Sequence, residues 1–392
     1  MYVLFCCTAL TLQQRFIGVL KNMKVAIVHD WLVNYGGAER VVEELLKIFP
    51  EAEIYTLVYN KKKMASHFPP EKIHTSFVQK IPFSSKLYTK LLSLMPKAFE
   101  SFDFSDYDLI ISSSSSCAKG IITPTSSTYI AYIHSPMRYA WDLYFDYFKR
   151  SGFLTRFFMK RQMQKIRQWD FISSQRIDYI IANSFYISRR IKKFWGRDSQ
   201  VIYPPVDTKR LGWNGKASED FYVVFSRFVS YKRIDLAISA CGELGKKLVV
   251  IGSGSQEKEL KKLASKYHNS EIKFTGRISD EEVKNYLQRC KALIFCAEED
   301  FGIIPVEAQA CGRPVIAFKK GGALETVKEN VTGIFFEEQE TQSVVNAIKK
   351  FEELYDKNTF SPQAICEHAQ NFSSEKFQNN IKQFVSKVQK QN

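Results

Sequence analysis

Five things are missing from this sequence, and each closes off a class of protein. None of its eight cysteines forms a Cys-x-x-Cys pair, and several lie in apolar runs. That argues for reduced, buried thiols rather than disulfides or a zinc site. No apolar run reaches the ~18 residues that a membrane-crossing helix needs, so a cytoplasmic location is expected. The three spaced glycines of the dinucleotide fingerprint are absent, which leaves NAD binding unsupported. No Ser-His-Asp or Cys-His-Asp order stands out, so a triad hydrolase has little support. No metal-ligand spacing is visible either. Asp106-Tyr107-Asp108 looks like an acidic metal pair, but it runs into the amino end of a strand, away from the edge where ligands bind.

Acid is also scarce. The chain carries 56 Lys and Arg against 41 Asp and Glu, a formal net charge of +15. The imbalance is concentrated between Lys149 and Arg197, with thirteen basic residues (149, 150, 156, 160, 161, 165, 167, 176, 189, 190, 192, 193 and 197) against Asp170 and Asp178. Phe148, Phe153, Phe157, Phe158, Trp169 and Phe171 are interleaved among them. A basic, aromatic-rich helical region suits an anionic membrane surface. It equally suits a solvated helix whose aromatics face the core. No nucleic-acid reading motif accompanies it.

What is present is an alternation of strands and helices. At 392 residues and 45% hydrophobic content the chain can bury two cores. Apolar strands are predicted at 25–28, 53–58, 109–111, 129–133 and 179–182, then at 222–225, 247–251, 272–274, 292–296 and 314–317. Helical periodicity falls between them at 234–244, 256–265 and 280–289. The pattern is that of an α/β protein with two parallel sheets, each covered on both faces by helices. The prolines of Ile202-Tyr203-Pro204-Pro205 enforce an extended link between the halves. This divides the chain into an extension at 1–22, a first domain at 23–204 and a second at 205–372. A helix at 373–390 is expected to pack back on the first domain. Met1 to Leu12 is apolar but has no positive region before it and no small-residue cleavage site after it, so it makes a poor signal peptide. The folded part is expected to begin at Met23, with 1–22 disordered or loosely attached.

Ligands of such domains sit at the carboxyl ends of the strands, and four segments supply polar groups there. Glu299-Asp300-Phe301-Gly302-Ile303-Ile304-Pro305-Val306-Glu307-Ala308 follows an apolar strand. Pro favours the first position of a helix, so a helix is expected to start near Pro305. Free amides around Ile303 and Ile304 then make an anion site suited to phosphate. Glu307, expected in the first turn, can accept two hydrogen bonds from a ribose diol, and Glu299 can hold hydroxyls of a second ring. Arg227 and Lys232 flank a loop after the first strand of the second half, where two cations can neutralise a diphosphate. Gly36-Gly37 opens a helix after the first strand, and glycine lets backbone approach a phosphate or sugar closely. His134 lies just past an apolar strand and can bond a sugar hydroxyl; His29 is a weaker candidate of the same kind. Each also has a purely structural reading: carboxylates at a helix start, surface cations, a tight turn, a local histidine. Gly252-Ser253-Gly254 and Gly321-Gly322 read as supporting turns.

Together these residues resemble the glycosyltransferase family 4 pattern on a GT-B fold. The likeness spans nearly all of Met23 to Gln389, and its most specific part is the Glu-x7-Glu motif from Glu299 to Glu307. His134-Ser135-Pro136-Met137-Arg138-Tyr139-Ala140-Trp141-Asp142 is similar to a stretch of bacterial mannosyltransferases that build O-antigen or exopolysaccharide. The resemblance implies two Rossmann-like domains facing across a cleft, and a retaining, metal-independent transfer from a nucleotide sugar. GDP-mannose is the first choice of donor; a UDP-sugar, an epimerase on the same fold or a non-catalytic nucleotide-sugar-binding subunit are the alternatives. It implies that Glu307 holds the ribose and that Arg227 and Lys232 hold the diphosphate, with amides near Gly302, Ile303, Ile304 and Gly37. Glu299 then contacts the sugar, His134 a donor hydroxyl, and Arg277 and Ile278 the base. The acceptor implied is a glycan or a glycan on a polyprenyl diphosphate, which the basic region would help to reach at the inner face of the plasma membrane.

Overall fold

A computed structural model describes residues 23–145, 148 and 152–390. The expectation for residues 1–22 falls outside them, as do Lys149, Arg150 and the side chains of Phe153, Phe157 and Phe158. The chain divides into two compact units, one running to Tyr203 and resuming at Phe377, the other spanning Pro204–Lys376.

The first unit is built on seven parallel strands: β1 (Val25–His29), β2 (Glu53–Thr56), β3 (Ile73–Thr75), β4 (Leu109–Ser114), β5 (Thr128–Ile133), β6 (Tyr179–Ala182) and β7 (Gln200–Val201), in the order β3-β2-β1-β4-β5-β6-β7. Every residue of β1, β4 and β5 is buried. This is why the apolar stretches that mark them, at 25–28, 109–111 and 129–133, are unbroken rather than alternating. Alternation persists in where the side chains go. Ala26, Val28, Ile110, Ala131 and Ile133 enter one core, while Val25, Ile27, Leu109, Ile111 and Ile130 enter the other. The second of these cores also takes Phe377, Ile381 and Val385 from the last helix, Ser374–Gln389. Each contributes about 1.5–3 kcal/mol by leaving water.

β4 runs three residues beyond the apolar stretch that announces it, through Ser112, Ser113 and Ser114. Their hydroxyls find buried partners: Ser112 meets the Tyr129 hydroxyl at 2.9 Å, and Ser114 donates to Asp30 at 3.3 Å. The acidic pair Asp106 and Asp108, set aside as a metal site, has a structural job. Asp108 accepts from the Lys24 amide at 2.8 Å, and Asp106 pairs with the Lys24 ammonium at 3.5 Å, tying the entry of β1 to that of β4.

The second unit carries six parallel strands: β8 (Tyr222–Phe225), β9 (Leu248–Ile251), β10 (Ile272–Gly276), β11 (Ala292–Phe295), β12 (Val315–Phe318) and β13 (Gly333–Phe336), in the order β10-β9-β8-β11-β12-β13. Helices at Ile234–Glu243, Glu257–Ala264 and Asp280–Arg289 occupy connections between strands, and the helix Thr341–Asp356 follows β13. β3, β7 and β13 were not marked by the sequence, and short strands of two to four residues carry too few side chains to show a period. In both sheets sequence order reverses once, between β1 and β4 and between β8 and β11. At such a reversal the chain leaves neighbouring strands in opposite directions and opens a crevice at their carboxyl ends.

Among the described residues no helix is long and apolar enough to cross a membrane. Cys117, Cys241, Cys290, Cys296 and Cys311 are free and buried, and Cys366 is free and half-buried.

The long helix Phe153–Ser174 is fixed to the first unit by a buried ion pair. Lys119 and Asp170 are 2% and 0% exposed, with Nζ 3.0 Å from Oδ1. The other carboxylate oxygen accepts from the indole N–H groups of Trp141 (2.8 Å) and Trp195 (2.7 Å). The ammonium also donates to Ser173 Oγ at 2.8 Å and lies over the rings of Trp169 and Trp195. Removing one partner leaves a buried charge uncompensated, a loss of about 3–5 kcal/mol, whereas replacing both with apolar side chains of similar volume costs little. Asp170→Ala should therefore destabilise the first unit by about 3–5 kcal/mol, and Lys119→Met with Asp170→Leu by much less. Four of the five tryptophans lie in this unit, so tryptophan fluorescence in a urea titration reads the difference.

Candidate active site

Lys232 and Glu299 meet at the β8/β11 reversal. β8 ends at Phe225, and the chain turns through Ser226-Arg227-Phe228 into a single 3-10 turn, Ser230–Lys232. Phe228 is fully buried and plugs this loop into the core. Its amide donates to Ser253 O at 2.9 Å, and its carbonyl accepts from the Gln256 amide at 3.1 Å. That contact requires glycine in the neighbouring turn. A Cβ on Gly252 would lie 1.9 Å from Ser226 O, and one on Gly254 would lie 2.4 Å from Phe228 O. After Lys232 the chain passes through Arg233 in the left-handed region (φ 49). The Arg233 guanidinium secures the turn on Asp235 (3.0 Å) and on Gln339 O (3.1 Å). Lys232 is thus presented from a braced loop, and its ammonium forms an ion pair and hydrogen bond with Glu299 Oε1, both side chains largely enclosed. Arg227 is exposed on the same loop and donates to the Tyr231 hydroxyl at 3.3 Å.

Glu299 comes from the loop after β11. A second glycine pair lies beneath that loop. A Cβ on Gly321 would sit 2.3 Å from Glu299 O, one on Gly322 would sit 2.3 Å from the Phe301 backbone, and the Gly322 amide donates to Glu299 O at 2.8 Å. Gly302 then caps the next helix from a left-handed conformation (φ 86). The helix begins at Ile303, two residues before the expected start, and runs to Ala310. Pro305 is tolerated because the first-turn N–H groups have no intrahelical acceptor in any case. The amides left without intrahelical partners are those of Ile303 and Ile304, as expected. Glu307 lies a turn further in than expected and is buried at 5% exposure. Arg277 and Ile278 follow Gly276 at the end of β10, two strands from β8 along the same edge; Arg277 is exposed and Ile278 half-buried.

The first unit has its own cluster at the β1/β4 reversal. Gly36 caps the helix Gly37–Ile48 and no side chain assists it. The following turn brings Glu39, 7% exposed, to 3.5 Å from His29 Nε2. His29, 2% exposed at the end of β1, also lies 3.1 Å from the Ser113 carbonyl and 3.2 Å from its hydroxyl. That hydroxyl in turn is 2.8 Å from His134 Nε2. Burial alone would lower the His29 pKa, but the hydrogen bond and charge of Glu39, with Asp30 and the Ser113 carbonyl, outweigh it and leave it raised. His134 goes the other way: burial and the neighbouring His29 push it down to about 3. Asp30 shapes the loop after β4 by accepting from the amides of Ser115 (2.6 Å), Ser116 (2.9 Å) and Ala118 (2.8 Å). Sequence reasoning ranked His29 low and passed over Glu39, Asp30 and Ser113. The available signal was positional: each lies at the end of a strand or the start of a helix on the ligand edge.

The structure therefore brings Lys232 and Glu299 into contact, sets Arg227 on the same loop as Lys232, and seats Gly302, Ile303, Ile304 and Glu307 on the chain that follows Glu299. Gly36, Gly37 and His134 sit at the matching edge of the other unit. No group of three or more His, Cys, Asp or Glu among the described residues is arranged to hold a metal ion.

Two family models match consecutive parts of the chain: Glycosyltransferase Family 4 over residues 35–210 and Glycosyl transferases group 1 over 207–367. An uncharacterized glycosyltransferase of Methanocaldococcus jannaschii is 31% identical over 161 residues, 41% of this chain and 45% of that protein. The alpha-1,3/1,6-mannosyltransferase of Saccharomyces cerevisiae is 25% identical over 377 residues, 79% of this chain and 72% of that protein. The O-antigen chain mannosyltransferase C of Escherichia coli is 25% identical over 190 residues, 44% of this chain and 51% of that protein. The chain thus spans about half the length of two of these relatives and 72% of the yeast one. Among solved structures, Anabaena HepE in complex with UDP superposes with a TM-score of 0.70 at 19% identity, covering 93% of this chain and all of that one, which establishes the fold. The chain belongs to the family 4 glycosyltransferases and has their GT-B fold of two Rossmann-like domains.

Proposed function

We propose that this protein transfers a hexose from a nucleotide sugar, mannose from GDP-mannose in the first instance, with retention of anomeric configuration. The acceptor is a glycan, free or carried on a polyprenyl diphosphate, in cell-surface polysaccharide assembly. The observation that carries this reading is the Lys232–Glu299 pair at the β8/β11 reversal, with the helix that starts at Ile303 following Glu299 in the chain. Mannose is favoured by the mannosyltransferase activity of the yeast and Escherichia coli relatives.

In this reading Arg227 and Lys232 hold the donor diphosphate and neutralise the charge that grows on it as the bond from the sugar C1 breaks. The acceptor oxygen bonds to C1 on the same face, and its proton passes to the departing phosphate oxygen. With two cations at the leaving group, no metal is required there. Once Lys232 turns to phosphate, Glu299 is released to accept hydroxyls of the sugar. Glu307 takes the ribose diol and Arg277 and Ile278 the base; in the first unit, Gly36, Gly37 and His134 are proposed as further contacts to the donor. Two outcomes follow. Arg227→Ala should lower kcat/KM for sugar transfer about 100-fold while leaving the melting temperature within error, because the side chain is exposed; wild-type turnover would remove Arg227 from the site. In a thermal-shift panel, GDP-mannose at 100 times its Kd should stabilise the protein by about 2.7 kcal/mol. A shift with UDP-sugars and none with GDP-mannose would replace the donor.

The reading extends to the basic helix Phe153–Ser174. Met163, Ile166, Asp170 and Ser173 are buried along one stripe. Trp169 is half-buried and donates to Glu100, so the aromatics divide between core and surface. The opposite face exposes Lys160, Arg161 and Lys165, with Phe171 and Ile172 at 45% and 59% exposure. A cationic face with apolar side chains suits the anionic inner leaflet, where each basic residue adds ~1 kcal/mol. Replacing Lys160, Arg161 and Lys165 by Gln should weaken flotation with anionic vesicles by roughly 100-fold. Equal flotation with neutral vesicles would remove the membrane from this picture.

A further inference from the structure

The chain of contacts from Glu39 through His29 and Ser113 to His134 has one arrangement of hydrogens that gives the Ser113 hydroxyl hydrogen an acceptor. A carbonyl oxygen can only accept, so His29 Nδ1, 3.1 Å from the Ser113 carbonyl, must carry a proton. That N–H cannot also accept from the Ser113 hydroxyl, 3.2 Å away. The hydroxyl hydrogen needs another acceptor, and its other contact is His134 Nε2 at 2.8 Å. In that arrangement His134 Nε2 is unprotonated, and the neutral ring carries its hydrogen on Nδ1. Among the described residues Nδ1 has no hydrogen-bond partner, and the ring is only half-buried.

We infer that Glu39, His29 and Ser113 are positioning residues that lock His134 as the neutral Nδ1–H tautomer, presenting a hydrogen-bond donor and not a base. The inference deepens the reading of His134 as a contact to the donor sugar and rests on it for its functional meaning. A ring fixed in this way offers an N–H to a sugar oxygen and cannot remove a proton from the acceptor, since its accessible nitrogen is already protonated. The charged and titratable groups facing the pair are few. Glu39 faces His29 from the helix Gly37–Ile48, Asp30 from the end of β1, and His134 from beyond β5. Glu39 and Asp30 favour a protonated His29. A protonated His29 in turn disfavours a second positive charge on His134, in keeping with the depression of His134 to about 3. Gly36 belongs to the same device: a Cβ there would lie 3.3 Å from Glu39 Oε2 and crowd the carboxylate that meets His29.

The test is a long-range 1H–15N correlation spectrum of the histidine rings in the full chain, labelled with 15N and free of donor. At pH 7 the His134 ring should show a protonated Nδ1 and an unprotonated Nε2. Ser113→Ala should shift it to the Nε2–H form or a mixture, and lower kcat roughly tenfold with little change in KM. His29→Asn keeps a donor near Nδ1 but removes the charge, so the tautomer should persist while the His134 pKa rises from about 3. An Nε2–H ring in the wild type, an unchanged tautomer in Ser113→Ala, or an unchanged His134 pKa in His29→Asn would each overturn the inference. The spectra need no nucleotide sugar, so a wrong donor would silence the transfer assay and leave the tautomer result standing.

Discussion

The Lys232–Glu299 site of the second unit depends on how closely backbone can approach backbone at the β8/β11 reversal. Two loops must leave adjacent strand ends and still hold Lys232 against Glu299. Four glycines make this possible. Gly252 and Gly254 admit the Ser226–Phe228 loop, and Gly321 and Gly322 admit the Glu299–Phe301 loop; a methyl at these positions would sit within 1.9–2.4 Å of main-chain atoms. Rearranging packed backbone to relieve such overlap costs more than most surface interactions contribute. The charged residues are the visible part of the site, and the glycines set where they stand.

The two reversals solve different problems. At β8/β11 the charges of opposite sign meet in a largely enclosed pair at the strand ends, where a ligand can compete for them. At β1/β4 the titratable groups are sunk into the core and satisfied by one another and by main chain, so they act through orientation. Buried Asp30 illustrates this, since its oxygens accept three loop amides and serine hydroxyls and leave little capacity for anything else. The Lys119–Asp170 pair follows the same logic for stability. A fully enclosed ion pair is tolerable only because indoles and a hydroxyl complete its hydrogen bonds.

Much of this was legible in the residues. The apolar runs announced β1, β5, β8, β9 and β11 because strands buried on both faces must be apolar throughout. Glu299, Gly302 and Glu307 stood out because carboxylates and a left-handed glycine beside a core strand have few structural uses. The rest was hidden for identifiable reasons. Ser112–Ser114 read as the end of a strand because nothing local reveals that Tyr129 and Asp30, distant in sequence, will satisfy them. The helix after Gly302 starts before Pro305 because the capping glycine, and not the proline, fixes its first turn. His29, Ser113 and His134 form a chain only once β1, β4 and β5 lie side by side, and no window of sequence contains all three.

The last helix has a consequence for how the molecule is connected. The peptide passes from the first unit to the second at Tyr203–Pro204 and returns at Lys376–Phe377. Phe377, Ile381 and Val385 then anchor the returning segment in the core against β1, β4 and β5. The second unit is therefore an insertion, tethered at both of its ends. A single nick in either crossing would leave the halves joined, one by covalent chain and the other by that anchored helix, so release of the second unit as a fragment demands two cuts.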